Sequence, residues 1–340
     1  MIGGIVLQNF IIKVKDKIEL MKISGKTDYL KRKLPSWAWS IIRFLFLAGI
    51  SFVVLYPIIF SLSMSFRTIE DVGDPAVIWI PKHLTFDNIK LAVKYLDYFN
   101  ALWQTLQIDV ISSILQVASC ALVGYGFARF NYKGKGLCFA LSIFTIIVPP
   151  QVVYIPNMLF YRDFSFFGIG DIIGLFTGKS LTVSLIDTPF VMYLPAALGV
   201  GIRSGLFIYI FRQFYRNLPK ELEDAAQIDG CGYFKTFVKI IVPNAKPALL
   251  TVFLFSVVWY WSDYYYAMMY FNKTKTVTVA LSQLMSSMAG TLDYATFSNP
   301  YYQSLIQQSA CLLALFPLLI LYIAFQRHFV EGVERSGIVG

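Results

Sequence analysis

Residues that usually carry enzymatic chemistry are scarce in this chain. Its 340 residues include two histidines, His83 and His328. A histidine-based metal site or a nucleophile–histidine triad has almost nothing to draw on. The four cysteines, Cys120, Cys138, Cys231 and Cys311, are scattered, three of them in apolar runs. No pair has metal-binding or redox spacing, so they read as small buried hydrophobes. Charge is scarce as well. Asp, Glu, Lys and Arg make up 14% of the chain, against roughly 25% in soluble domains. No internal repeat or low-complexity tract is visible. What the chain has instead is apolar residues, 57% of the total, gathered in long runs.

Six runs are long and apolar enough to cross a bilayer, which takes roughly 20 residues. They cover approximately 41–66, 103–127, 137–161, 190–211, 248–270 and 305–325. Backbone groups in lipid must be satisfied within the segment, so the spans are helices. The expected fold is all-α, an integral membrane bundle of six transmembrane helices. Few ionisable groups fall inside it: Arg43, Asp109, Arg203 and Asp263. Arg203 is open to two readings, a functional site or a side chain snorkelling towards the cytoplasm, the simpler account.

The net charge of +9 would point to nucleic acid in a soluble protein. In a membrane protein it reflects Lys and Arg in cytoplasmic loops, and no nucleic-acid partner is implied. Nineteen of the 29 basic residues lie in the N-terminal tail, after the second span, between the fourth and fifth spans, and after the sixth. The opposite loops hold eight. Both termini and the segment 223–229 are therefore expected in the cytoplasm, with the chain in the cell membrane. The tail, residues 1–36, shows no secretory signal: Ile2–Ile12 has no basic region before it and no clear cleavage site after it. Its alternating apolar and lysine residues fit a basic amphipathic helix on the inner surface of the membrane lipid, or equally a loosely ordered tail that only fixes topology. The membrane domain is expected over 37–340.

One polar stretch stands out between the fourth and fifth spans. From Leu218 it reads Leu-Pro-Lys-Glu-Leu-Glu-Asp-Ala-Ala-Gln-Ile-Asp-Gly, ending at Gly230. Pro219 suits a first helical turn. Glu221, Glu223 and Asp224 then sit at the positive end of the helix dipole. Ala225 and Ala226 are small, so another surface can approach closely. Gly230 accepts the left-handed conformation that ends a helix. Tyr233, Phe237 and Ile240 share a face of a second short helix, which Pro243 stops. The segment 218–247 thus reads as a cytoplasmic helix–turn–helix elbow. On these grounds alone, a docking element and an ordinary loop helix capping the bundle stand level.

Asp224-Ala225-Ala226, then Gly230, Ile240 and Val242-Pro243, resemble the EAA signature of binding-protein-dependent ABC importer permeases. The spacing agrees throughout; Asp224 stands for Glu and Val242 for Leu. The acidic contact falls on Glu223 or Asp224. Further elements resemble the maltose-type sugar permeases: Gly124 to Arg129, Val148-Pro149-Pro150, Phe211-Arg212-Gln213-Phe214, Trp261-Ser262-Asp263-Tyr264, and the C-terminal stretch from Gln326 to Gly340.

The resemblance implies a permease subunit, not an enzyme, that forms half of the pathway for a sugar or oligosaccharide; a non-sugar solute is the alternative. Its implied partners are a second permease subunit, two cytoplasmic ATPase subunits and an external solute-binding protein. It implies no cofactor on this chain, since ATP is used by the ATPase subunits. The ATPase-coupling residues it implies are Glu223, Asp224, Ala225, Ala226, Gly230, Ile240 and Pro243. Tyr154, Asn157, Trp259, Asp263 and Tyr264 are candidates for the solute path, because aromatic faces stack on sugar rings while polar groups bind hydroxyls. Packing between helices and an interfacial aromatic belt are the competing reading. An ATPase-independent secondary transporter would need ionisable relays inside the spans, and there is little to relay. Gly174–Ser180 looks like a phosphate loop but is one residue short and lies in an outer loop. It reads as a turn.

Overall fold

The computed structural model describes the backbone of residues 36–337. The basic tail, with its two readings, lies outside the described residues. The described chain is helical, with a single isolated β-bridge between Phe164 and Val183. Its contacts divide it into two units, up to Ser61 and from Leu62 onward.

Among the described residues three helices are unbroken and apolar enough to cross a membrane: α1 (Ser36–Ser65), α3 (Tyr98–Arg129) and the last helix, α12 (Pro300–Gly337). Phe44, Phe46 and Val53 of α1 are all more than 60% exposed, as expected of a helix that faces lipid. In the second unit, the short helix α2 (Asp87–Leu96) packs beside the start of α3 and α12, where Leu96, Tyr98 and Ile306 share a core.

The other three expected spans are not single helices, and proline and glycine account for two of the breaks. α4 (Lys135–Ile147) and α5 (Pro150–Arg162) meet at a bend of 104°. Val148 precedes Pro149, whose ring disfavours the helical conformation there, and Val148 is extended at ψ 121°. The fourth run forms α6 (Phe190–Ala197) and α7 (Ser204–Arg216), separated by an irregular stretch. Gly199 and Arg203 in that stretch are left-handed, at φ 72° and 59°. The fifth run forms α10 (Lys246–Ser262) and α11 (Tyr264–Tyr270), with Asp263 extended between them. Ahead of α10 lie α8 (Glu221–Ile228) and α9 (Tyr233–Asn244), and α9 meets α10 at 80°. Counting each bent pair as one span gives up to five spans among the described residues. The fourth run, broken over six residues, is the one that departs from the expected six.

Backbone freed by such a break must find partners where there is no water. Gln116 of α3 supplies them. Its Nε2 donates to the Ile202 carbonyl (2.5 Å) and to Ser204 Oγ (3.0 Å), and its Oε1 accepts from Ser256 Oγ of α10 (3.2 Å). Ser119 Oγ donates to the Ala196 carbonyl at 2.6 Å. α3 also approaches α7 closely at Gly124, where a Cβ would lie 2.6 Å from Phe211 Cβ. Small residues at helix contacts permit this spacing.

One smaller expectation needs correction, and the reading of Gly174–Ser180 as a turn holds. Of the four cysteines, Cys120 is fully buried, but Cys138 is exposed and Cys231 and Cys311 are partly so. The four do not share a common burial. The stretch Gly174–Ser180 ends a short helix, Ile169–Thr177, at left-handed Gly178. Ser180 Oγ donates to Asp171 (2.6 Å), so this stretch is a helix end and not a phosphate loop.

Candidate functional site

The polar segment folds as an elbow of α8 and α9. α8 begins at Glu221, with Pro219 just outside it and Lys220 at its N-cap. Its end is a Schellman turn: Cys231 N–H reaches the Ala226 carbonyl (2.9 Å) and Gly230 N–H the Gln227 carbonyl (3.0 Å). Gly230 sits at φ 77°, and nothing lies within 4 Å of where its Cβ would be. Glycine is needed there for backbone conformation rather than for space.

α9 is not a regular α-helix. Phe237–Ile241 is π-helical, and Val242 N–H bonds the Phe237 carbonyl. Pro243 follows and can donate nothing, which favours a displaced ladder. A π turn takes more residues than an α turn, so the inward face carries Phe237 and Ile241, both buried. The face expected from α periodicity was Tyr233, Phe237 and Ile240. Ile240 is half-buried, and Tyr233 is 61% exposed, edge-on to Phe130. Phe237 and Ile241 enter one core with Tyr125 of α3, Phe211 and Tyr215 of α7, and Ala248 and Val252 of α10. The elbow is thereby built into the helices that follow and precede it.

The acidic residues divide. Glu223 turns inward, with Oε1 2.7 Å from Arg129 Nε and both side chains largely buried. The contact is an ion pair without aligned hydrogen-bond geometry. Arg129 also donates from its Nη2 to the Leu218 carbonyl at 2.7 Å. Asp224 and Ala225 are exposed, whereas Ala226 is buried, so only one of the two alanines is open to an approaching surface. Pro243 is exposed. The elbow also leaves apolar side chains uncovered: Ile228 is 86% and Phe234 71% exposed.

A second feature lies where the three helix breaks come together. A cavity of about 640 Å³ is lined at the α4–α5 bend by Val148 and Pro150, at the α6–α7 break by Gly199 to Arg203, and at the α10–α11 break by Asp263. Irregular backbone at membrane depth is tolerated where it lines a cavity. Of the candidate path residues, Tyr154, Asn157, Trp259 and Asp263 line it, and Tyr264 does not. The break at Asp263 restarts the helix so that Tyr265 and Tyr266 face the cavity instead. Asp263 Oδ1 accepts from Tyr266 N–H at 2.7 Å, capping α11. The aromatic residues also pack. Tyr154 stacks on Tyr265 (5.5 Å) and meets Tyr266 edge-on (4.6 Å), while Trp259 lies tilted beside Phe207 (5.3 Å). Packing and cavity lining are therefore both roles of these side chains.

Sequence reasoning missed the Glu223–Arg129 pairing, the Gln116 hub and the roles of Tyr265 and Tyr266. For Arg203 a signal was present: an arginine flanked by Gly201 and Gly205 marks a break, where a side chain can face a cavity.

The comparisons with known proteins agree with this architecture. The polygalacturonan/rhamnogalacturonan transport system permease protein YtcP of Bacillus subtilis is 26% identical over 300 residues, covering 87% of this chain and 96% of its own length. The melibiose/raffinose/stachyose import permease protein MelC of the same organism is 28% identical, covering 79% of this chain and 86% of its own. A crystal structure of a bacterial ABC transporter that imports the acidic polysaccharide alginate matches in fold. Its TM-score is 0.67 at 19% identity, with 86% of this chain and 96% of that chain covered. The family model for binding-protein-dependent transport system inner membrane components matches residues 121–335, more than half of the chain. The protein thus belongs to that family and is a multi-pass transport permease of the cell membrane.

Proposed function

We propose that this chain is one half of the membrane pathway of an ATP-driven sugar or oligosaccharide importer. In this reading it has six spans, the fourth broken, and both termini in the cytoplasm. It pairs with a second permease subunit, two ATPase subunits and an external solute-binding protein. The elbow α8–α9 is the element that docks in the ATPase. The observation that carries the reading is the elbow's division of faces. Glu223, Ala226, Phe237 and Ile241 point into the bundle, while Asp224, Ala225, Ile228 and Phe234 are left exposed. A rigid element with an apolar and acidic outer face suits a soluble partner with a complementary groove. Closure of the ATPase dimer on ATP would push the elbow. Phe237 and Ile241 would carry that push into α3, α7 and α10. Each end state is then favoured by different contacts, as a switch requires. The 640 Å³ cavity is the proposed solute site, within the usual range of roughly 300–1,000 Å³ for small-molecule sites.

Co-purification of the ATPase with a tagged Asp224→Lys, Ile228→Asp double variant tests the docking role. The expected result is at least a tenfold lower yield of ATPase with unchanged membrane insertion. Recovery of the ATPase at the wild-type ratio would overturn it.

A further inference from the structure

We infer that the solute accepted by this permease carries a carboxylate, as a uronic-acid oligosaccharide does, and that Arg203 is the residue that reads it. The inference rests on the reading of the cavity as a carbohydrate site. Arg203 lines that cavity beside Trp259 and Asp263. Its guanidinium carbon lies 5.7 Å from the centroid of the Trp259 ring. Asp263 lies within electrostatic reach of it, but among the described residues no carboxylate comes within ion-pair distance and no oxygen accepts a hydrogen bond from it. Snorkelling to the elbow side does not explain it. α7 runs from Ser204 to Arg216 towards the elbow, and at 1.5 Å per residue that is about 20 Å, beyond the reach of an arginine side chain. The backbone is also held against preference, with Arg203 left-handed at φ 59°. Such strain in a bulky residue persists where the surrounding structure enforces it, as ligand sites do.

A guanidinium carries five N–H donors in a planar fork that matches a carboxylate in bidentate fashion. Arg203 is exposed to the cavity, so its donors are open to a solute, and an arginine within a span that faces a cavity marks a functional site by default. The partner fits a monoanion better than a phosphate dianion, because a single arginine faces it and Asp263 shares the wall. Sugar rings would meet the face of Trp259 and the Tyr154–Tyr265 pair while their hydroxyls reach Asn157 and Gln151, which also line the cavity.

The test uses the assembled importer in proteoliposomes with ATP. Uptake is compared for trigalacturonate, its methyl ester, maltotriose and galactose 6-phosphate. The expected result is import of trigalacturonate at least tenfold faster than of the other three. Arg203→Gln should lower trigalacturonate uptake at least tenfold with the ATPase still assembled, and Arg203→Lys should fall in between. Import of the ester as fast as the acid would overturn the inference without any variant. So would uptake in Arg203→Gln equal to wild type, or a preference for the phosphate. Import of maltotriose alone would overturn the carboxylate and leave the sugar reading standing, whereas import of no carbohydrate would overturn both.

Discussion

Glu223 of the elbow and Arg129 at the end of α3 form an ion pair at 2.7 Å, 94 positions apart and nearly buried on both sides. The pair settles which acidic residue faces the bundle. Glu223 holds the elbow to the transmembrane helices, and Asp224 one position on is exposed.

Removing one partner of this pair strands the other. Glu223→Ala should destabilise the purified chain by about 3 kcal/mol, the usual penalty for an uncompensated buried charge. Arg129→Met with Glu223→Met should recover most of that loss. Thermal unfolding of the two single variants and the double variant gives the coupling, and strictly additive losses would show that the pair is not energetically joined. Asp224→Ala should leave the melting temperature unchanged.

Gly230 stands at φ 77° with open space around it. Substitution should therefore track backbone conformation and not side-chain volume. Gly230→Leu should cost about 1–2 kcal/mol and uncouple ATP hydrolysis from transport, while Gly230→Asn, which tolerates the left-handed region, should be milder. Loss of coupling that scales with residue size across a series of variants would contradict this.

Gln116 serves the broken fourth span. Gln116→Leu leaves the Ile202 carbonyl and the hydroxyls of Ser204 and Ser256 without it. A loss of about 1–3 kcal/mol follows from burying unsatisfied polar groups. Protease sensitivity between Leu198 and Arg203 should rise, and Gln116→Glu should rescue less well than wild type because it loses the donor.

The loop after α1 holds a pH-sensitive contact. Asp71 accepts from the His83 backbone N–H (2.9 Å), and this bond first of all holds its carboxyl below the ordinary value of 3.8. Its folded pKa is depressed, so the stabilisation is present above the unfolded value and is lost as pH falls through the lower folded one. Hydrogen exchange at the His83 amide should accelerate below about pH 3.8, and Asp71→Asn should show fast exchange at neutral pH.

Membrane location, helical class and the elbow's position were legible in the sequence because each depends on local pattern. Apolar runs of span length force helices in lipid. Asp224-Ala225-Ala226 with Gly230 fixes a helix and its end by local backbone preference. The bends at Val148 and at the glycines after Pro195 were written there too, but their consequence was not. Whether a proline or glycine in an apolar run is absorbed or breaks the span depends on whether a distant group, here Gln116, satisfies the freed carbonyls.

The sequence by itself determined the composition of the elbow and the residues available to line the cavity, since chain-local chemistry decides both. Only the tertiary structure decided how they are used. The π turn at Phe237–Ile241 rotated the inward face of α9, Arg129 drew Glu223 inward and left Asp224 outside, and the breaks of three spans met to make one cavity. Those outcomes rest on contacts between residues far apart in the chain, whose energies are set by packing and pairing that no local pattern contains.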